Sequence, residues 1–128
     1  MGDLSKNFSR WEFECNCGCG FDQVDPRLVE SLQRLRDLLG TPVNINSACR
    51  CEKHNRDKGG EDDSQHLVGL AADMWCKGIK PRKIAEIAEQ IPTIHDGGIG
   101  IYKTFTHLDV RINGPARWGK QIKRRRKI

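Results

Sequence analysis

The stretch Ser64-Gln-His-Leu-Val-Gly-Leu-Ala-Ala-Asp73 carries a histidine, His66, and an aspartate, Asp73, seven positions apart. A separation of seven exceeds one helical turn, so the two side chains converge only if the chain changes direction between them. Gly69 permits such a turn, which predicts that His66 lies in a loop and Asp73 on the apolar strand that follows. A metal site requires side chains that meet in this way from separate backbone segments.

A second pair, His107 and Asp109, lies about forty residues further on. The two are two positions apart in a strand-like run, so both side chains point to the same face. We expect His66, Asp73 and His107 to bind one zinc ion, because two histidines and one carboxylate leave a tetrahedral zinc with an open, catalytic position. Zinc there lowers the pKa of a bound water and polarises a carbonyl, as amide hydrolysis requires. The alternative interpretation is a set of surface or structural histidines.

The length and composition of the chain fit one globular domain followed by a short tail. A chain of 128 residues can bury a modest core, and contents of 37% hydrophobic and 30% charged residues are typical of globular proteins. No apolar run reaches membrane-spanning length, and the N-terminal residues lack the apolar core of a secretory signal. We expect a monomer that is made in the cytoplasm without a signal peptide, with its domain over residues 1–119.

The positive charge is concentrated in residues 120–128. This segment has six basic residues and no acidic one, so subtracting these six from the net charge of +5 leaves −1 for residues 1–119. A basic tail is attracted to polyanions, and we expect contacts with anionic envelope polymers or lipid, with nucleic acid the less favoured partner. The alternative is a solvated chain end.

Five of the six cysteines lie in two clusters with alternate spacing, and the sixth, Cys76, stands apart. The clusters are predicted either to meet on a structural metal or to remain reduced thiols, and disulfides are the least favoured state without a signal peptide. The clustered residues are Cys15, Cys17, Cys19, Cys49 and Cys51.

The spacing of apolar residues predicts two main helices. Asp25 and Pro26 form an N-cap and a first helical residue, leucines at spacings of four, three and four continue to Leu39, and Gly40 ends the helix. Residues 81–91 are predicted to form the second helix, with isoleucines on one face.

The rest of the chain is predicted to consist of short strands and loops, with a short helix after Ser9 that packs Trp11 and Phe13 on the core. Residues 49–64 are polar and are predicted to be a loop. Together the elements predict an α+β fold, with a small antiparallel sheet that carries the zinc site and packs against two or three helices. The predicted strands cover residues 41–46, 70–76, 99–102 and 106–110.

Arg50 is a candidate for contact with a substrate. An arginine can bind a carboxylate through two parallel hydrogen bonds or stabilise an oxyanion, although a surface arginine is the alternative interpretation. His54 and His95 lack such a pattern and are expected to be a loop-surface residue and a turn residue.

Several further motifs accompany the two His/Asp pairs. They are Asn7-Phe-Ser, Glu12-Phe-Glu-Cys15, Ser47-Ala-Cys-Arg50, His54-Asn55, Gly59-Gly60, Ser64-Gln-His66, Ala71-Ala-Asp73, Gly98-Ile-Gly-Ile-Tyr102 and His107-Leu-Asp109-Val-Arg111. Together they resemble the M15 family of zinc peptidases, which includes D-alanyl-D-alanine carboxypeptidases, dipeptidases and phage endolysins that cut peptidoglycan stem peptides. The resemblance covers nearly the whole range from Leu4 to Trp118 and is nearest to short phage and prophage members.

The resemblance implies a zinc peptidase that acts on the bacterial cell wall and is of phage or prophage origin. It implies that Arg50 stabilises the carbonyl or carboxylate of a substrate. The zinc ligands that it implies are His66, Asp73 and His107.

The resemblance also implies a general base three residues before the last zinc histidine, where this chain has Thr104. A threonine cannot accept a proton at neutral pH. Asp109 is the nearest acid in sequence and is the candidate base, with Asp96 as a further possibility. Alternatively, Asp109 orients His107 or another ligand.

Two other functions compete with a cell-wall peptidase. A non-catalytic zinc-containing module that binds the cell wall is favoured by the missing acid at Thr104. A nucleic-acid-binding protein is favoured by the basic tail and the cysteine clusters.

Overall fold

The computed structural model describes residues 2–119, and its longest helix is the one predicted after Asp25. Helix α1 spans Pro26–Leu39. The Asp25 carboxylate accepts a hydrogen bond from the backbone N–H of Arg27 at 2.8 Å, and Gly40 closes the helix in a left-handed conformation. The leucine face is buried as predicted, since the side chains of Leu28, Leu32 and Leu35 are fully buried.

Five short strands form one sheet in the order β1-β2-β4-β3-β5. Neighbouring strands are antiparallel except β3 and β5, which are parallel. The predicted α+β class is therefore confirmed, with one parallel strand that the sequence did not indicate. The strands are β1 (Asn44–Ser47), β2 (Ala71–Trp75), β3 (Gly98–Ile101), β4 (Thr106–Asp109) and β5 (Ala116–Trp118).

The two faces of the sheet have different chemistry because side chains alternate along each strand. One face presents apolar residues such as Met74, Ile99 and Leu108 to the hydrophobic core. Helix α1 packs there with helices α3 (Pro81–Ala88) and α4 (Pro92–His95), which confirms the expectation of two or three helices against the sheet. The opposite face carries the histidines and aspartates of β2 and β4.

The segment predicted as one polar loop contains a helix. Helix α2 spans Glu52–Asp57, and its N-cap is Cys51, whose Sγ accepts a hydrogen bond from the backbone N–H of His54. His54 and Asn55 are buried, so the prediction of a surface position for His54 was wrong. The helix is short and lacks apolar periodicity, which is why the pattern did not reveal it.

Two aromatic predictions had different outcomes at the N-terminal helix. A 3₁₀ helix spans Arg10–Phe13, and the carboxylate of Glu12 accepts a hydrogen bond from the backbone N–H of Ser9 at 2.7 Å. Phe13 is fully buried as predicted, but Trp11 is 75% exposed and does not pack on the core. A single 3₁₀ turn cannot direct both side chains inward.

No helix within residues 2–119 is both long enough and apolar enough to cross a membrane. The predicted basic tail, residues 120–128, lies outside the described residues.

Candidate metal centre

The register of the sheet aligns one residue from each strand in a single transverse row. Asp73 on β2 lies opposite both Ser47 on β1 and His107 on β4. His107 in turn lies opposite Gly100 on β3, which pairs with Trp118 on β5. Because residues directly opposite each other point to the same face, this row builds one continuous surface across the sheet.

The three candidate ligands (His66, Asp73 and His107) converge on this surface. Oδ1 of Asp73 lies 3.3 Å from Nε2 of His66 and 3.1 Å from Nδ1 of His107. All three residues are buried, and their potential ligand atoms lie within 4.8 Å of one another. The structure therefore brings together the residues that the sequence predicted to converge.

His66 is held in place by the turn before β2. It lies in a 3₁₀ turn, Gln65–Val68, which ends at Gly69 with a φ of 73°. Nδ1 of His66 is 2.6 Å from the backbone carbonyl of Ala48. Because a carbonyl only accepts, Nδ1 carries a proton, and Nε2 is the ring nitrogen that faces Asp73.

His107 is fixed by a carboxylate behind it. Nε2 of His107 lies 2.7 Å from Oδ2 of Asp109, and Arg111 donates to both oxygens of Asp109 at 2.9 and 2.7 Å. A Cβ on Gly98 would lie 2.3 Å from Oδ2 of Asp109, so the carboxylate fits only because Gly98 has no side chain. This carboxylate–histidine pair leaves Nδ1 of His107 directed at Asp73.

Arg50 holds the other oxygen of Asp73. Its Nη2 donates to Oδ2 of Asp73 at 3.1 Å, and its Nε donates to Oγ of Ser47 at 3.0 Å. Its Nη1 also lies 3.4 Å from Oδ1 of Asn55 on α2. The two oxygens of Asp73 thus have separate partners, with Oδ1 toward the histidines and Oδ2 toward the arginine.

The donor set and its spacing fit a zinc ion. A zinc tetrahedron with bonds of about 2.0–2.1 Å to nitrogen and oxygen has edges of roughly 3.3–3.4 Å, close to the separations around Oδ1 of Asp73. Each histidine uses its other ring nitrogen for a protein acceptor, as metal-binding histidines almost always do. The residues present could hold such an ion.

The electrostatics of the site keep its carboxylates charged. Burial by itself would raise the pKa of Asp73 and of Asp109. For Asp73 the hydrogen bonds and charges of His107 and His66 together outweigh burial, and for Asp109 those of His107 and Arg111 do so, and each pKa is held well below its usual range. Burial by itself would lower the pKa of His107, but the hydrogen bonds to Asp109 and Asp73 outweigh it and raise the pKa above its ordinary value of 6.5.

The candidate ligands lie in an open cavity of about 640 Å³. Its wall includes the cations Arg50, Lys58 and Arg111 and the carboxylates Glu61 and Asp63. A cleft of this volume accommodates a segment of peptide rather than only a small ion or water.

One side of this cavity is an aromatic wall formed by Tyr102, Phe105 and Trp118. The rings of Tyr102 and Phe105 stack with centroids 4.5 Å apart, and Nε1 of Trp118 donates to the hydroxyl of Tyr102 at 2.8 Å. The ring of Trp118 lies 4.9 Å from that of His107 and covers Gly100, where a Cβ would come within 2.3 Å of the indole. Gly100 thus provides the space that brings the aromatic wall to the candidate ligands.

The structure changes the position expected for two candidate bases. Asp109, predicted either as the base or as a group that orients His107 or another ligand, is fully buried behind His107 and does not line the cavity. Asp96 is exposed at the end of α4, also outside the cavity wall. Thr104 is exposed in the turn between β3 and β4.

Sequence analysis missed four residues that shape this site. Asn55 contacts Arg50, and Trp118 contacts His107. Neither residue received a role, because residue type and spacing do not indicate these side-chain contacts. The motif His54-Asn55 drew attention to Asn55 without giving it a role. The carboxylates on the cavity wall, Glu61 and Asp63, belong to a polar segment whose composition is typical of any surface loop.

Comparison with known families supports the sequence resemblance. A family model described as Peptidase M15 matches residues 6–109, a range that contains the three candidate ligands. The chain belongs to the Peptidase M15 family. The matched range also contains Arg50 and Asp109, whereas Trp118 lies beyond it.

The chain is also similar to curated proteins named peptidoglycan L,D-endopeptidase MepK. These come from Escherichia coli (strain K12), Escherichia coli O157:H7 and Shigella flexneri. Each is 35% identical over 103 residues, which cover 73% of this chain and 53% of the relative. The chain therefore spans about half the length of the curated relatives that it matches.

The raised pKa of His107 predicts how zinc binding depends on pH. Its ring keeps a proton to a higher pH than the ordinary 6.5, and a metal ion must displace that proton. Zinc affinity should therefore fall as pH decreases below the His107 pKa, by up to about tenfold per pH unit. Affinity at this site can be followed through the ring-proton NMR signals of His66 and His107 during zinc titrations at several pH values.

The Asp109→Asn variant provides the comparison for this titration. It removes the charge that raises the His107 pKa, so the pH dependence of zinc affinity should move to lower pH. An identical pH dependence in both proteins would contradict the role of Asp109 in setting the protonation of His107.

Proposed function

We propose that this chain is a zinc-dependent peptidase that hydrolyses a peptide bond in peptidoglycan stem peptides. The observation that carries the proposal is the convergence of Nε2 of His66, Oδ1 of Asp73 and Nδ1 of His107 in an open cavity. Membership of the Peptidase M15 family supports the reaction type, and the printed name of the MepK relatives supports the substrate class. Because those relatives are named endopeptidases, we favour an endopeptidase over a carboxypeptidase.

The protein residues supply binding and orientation. Bound zinc would provide a Lewis acid that polarises the scissile carbonyl and lowers the pKa of water. Arg50 keeps Asp73 in position through Oδ2 and is also part of the cavity wall, where its guanidinium can face a substrate carbonyl or carboxylate. Asp109 and Ala48 fix the ring orientations of the two histidines.

The cavity wall matches the chemistry of a short acidic peptide. Stem peptides carry free carboxylates, and Lys58 and Arg50 place positive charge on the same wall. The aromatic wall offers flat apolar surface to peptide backbone and aliphatic side chains, and it limits the access of water on one side.

The proton acceptor is proposed to be a carboxylate on the cavity wall rather than Asp109. The carboxylate oxygens of Asp109 are already hydrogen-bonded to His107 and Arg111, and the side chain is fully buried. Glu61 and Asp63 line the cavity and are the other carboxylates there, besides Asp73, among residues 2–119. A base must reach the cavity to take a proton from the attacking water, so one of these two is the better candidate.

Two finer points rest on the sequence resemblance: action on the bacterial cell wall, and an endolysin-like role with phage or prophage origin. A monomeric state also stays a prediction. Contacts of the tail with envelope polymers or lipid stay a prediction, because residues 120–128 lie outside the described part of the chain.

Removal of a candidate ligand is expected to abolish zinc binding at this site and hydrolysis together. In His66→Ala, Asp73→Ala or His107→Ala the remaining two ligands cannot hold the ion tightly, so activity should fall by more than about 100-fold, beyond the loss typical of outer-shell changes. Activity is measured as soluble muropeptides released from purified peptidoglycan of known composition, identified by mass spectrometry. The same digest identifies the bond that is cut.

His95→Ala is the matched control, because His95 is exposed at the end of α4. It should retain zinc and activity. Full activity in His66→Ala with correct folding by circular dichroism would overturn the proposed site.

The proposed role of Asp109 predicts a defect that zinc repairs. Asp109→Asn should weaken zinc binding by roughly 10- to 100-fold, as other losses of a carboxylate behind a metal-binding histidine do. Saturating zinc should then restore most of the turnover. In contrast, Glu61→Gln or Asp63→Asn should leave zinc affinity near that of the parent, and one of them should lose turnover at every zinc concentration.

Kinetics at increasing zinc concentration distinguish these outcomes. If Asp109→Asn is fully loaded with zinc yet inactive, Asp109 is the base and the assignment to the cavity wall is wrong.

A non-catalytic module that binds the cell wall is the second candidate. The exposed Thr104, where the family pattern places an acid, favours it. Binding of stem peptides without release of any fragment, at all pH values and with zinc verified by elemental analysis, would establish this alternative. The nucleic-acid alternative depends on the tail, and deletion of residues 120–128 should abolish DNA binding if it is correct.

A further inference from the structure

Four cysteine sulfurs meet at a second place in the molecule, on residues other than the three candidate ligands. Cys15, Cys17 and Cys19 lie in the loop after the first 3₁₀ helix, and Cys51 caps α2. The Sγ atoms of Cys15 and Cys17 are 3.4 Å apart, and those of Cys17 and Cys51 are 3.6 Å apart. All four sulfurs lie within 4.8 Å of one another.

This spacing is that of ligands around one metal ion. A zinc tetrahedron with Zn–S bonds of about 2.3 Å has S···S edges of roughly 3.8 Å. Four thiols packed only against each other make weak hydrogen bonds, whereas four thiolates around a divalent cation are strongly bound. The alternate spacing in the sequence lets three sulfurs of one loop turn toward a common point.

Backbone N–H groups support negative charge on these sulfurs. The N–H of Cys51 points to Sγ of Cys15 at 3.5 Å, and the N–H of His54 points to Sγ of Cys51 at 3.4 Å. Such hydrogen bonds are typical of the surroundings of metal-bound thiolates.

The other two cysteines are excluded by their surroundings. Cys49 was predicted to belong to the cluster, but it is buried in the hydrophobic core, and Cys76 is buried there as well. The sequence cluster of five thus reduces to four in the structure.

We propose that Cys15, Cys17, Cys19 and Cys51 form a second metal site, a tetrathiolate site that binds zinc and has a structural role. Binding converts four thiols to thiolates and releases four protons. With four protein ligands the coordination shell is closed, so no position is left for a substrate.

The location of this site explains what it would stabilise. It joins the N-terminal loop to the segment before α2, where Ala48 accepts a hydrogen bond from His66 and Arg50 binds Asp73. Two further contacts join the same segments: Nδ2 of Asn16 donates to the carbonyl of Asn46, and the N–H of Cys49 donates to the carbonyl of Phe13. The metal would therefore fix the backbone that orients the first candidate site.

The test counts zinc and identifies its ligands in the full chain. Protein purified under reducing conditions is analysed by elemental analysis and by zinc X-ray absorption, which separates Zn–S bonds of about 2.3 Å from Zn–N and Zn–O bonds of about 2.0–2.2 Å. The double variant His66→Ala/His107→Ala isolates the second site. It should retain one equivalent of zinc with an all-sulfur shell, whereas the parent chain should bind two equivalents.

Cysteine variants give the reciprocal result. Cys17→Ser and Cys51→Ser should each lose one equivalent of zinc, and Cys49→Ala, the matched control, should lose none. Cys51→Ser should also lower the midpoint of thermal unfolding, and chelation should lower that of the double histidine variant.

The double histidine variant tests the cysteine site even if the cysteine variants do not fold. Absence of zinc in that folded variant, a shell with nitrogen or oxygen, iron in place of zinc, or disulfides among these cysteines under reducing conditions would each overturn it. These measurements do not depend on peptidase activity, so they are distinct from the test of the proposed function.

Discussion

The division of the Asp73 carboxylate between two kinds of partner is the constraint on which the site depends. Oδ1 faces His66 and His107, and Oδ2 accepts the hydrogen bond from Arg50. A buried carboxylate is unfavourable unless both of its oxygens have partners. The partners of Asp73 come from three segments: His66 from the turn before β2, His107 from strand β4 and Arg50 from the segment before α2. The fold brings these three segments together so that their side chains meet at Asp73.

The sheet positions these residues through its strand register and through two glycines, Gly98 and Gly100, that have no side chain. Asp73, His107 and Trp118 share one transverse row, and the row passes through Gly100, whose lack of a side chain admits the indole. Gly98 does the same for Asp109, which fixes His107 from behind. A one-residue slip of β4 would turn both His107 and Asp109 to the apolar face, so the same register specifies the core and the site.

Capping residues and the spacing of apolar residues predicted the elements that depend on residues close in sequence. The caps and leucine spacing predicted α1, the period of two placed His107 and Asp109 on one face, and the resemblance to the M15 family was confirmed. The position of Asp109 depends on Gly98 and Arg111, which meet it through cross-strand register and local side-chain geometry that residue types do not specify. Strand β5 is only three residues long and pairs with β3 across a gap in sequence, so Trp118 gave no pattern to detect.

The most direct test of the metal centre is crystal diffraction from zinc-loaded protein, recorded on both sides of the zinc absorption edge. We expect an anomalous peak bounded by Nε2 of His66, Oδ1 of Asp73 and Nδ1 of His107, with Asp109 still hydrogen-bonded to Nε2 of His107. Crystals soaked in saturating zinc that show no peak there, and show Asp73 still hydrogen-bonded directly to both histidines, would contradict it.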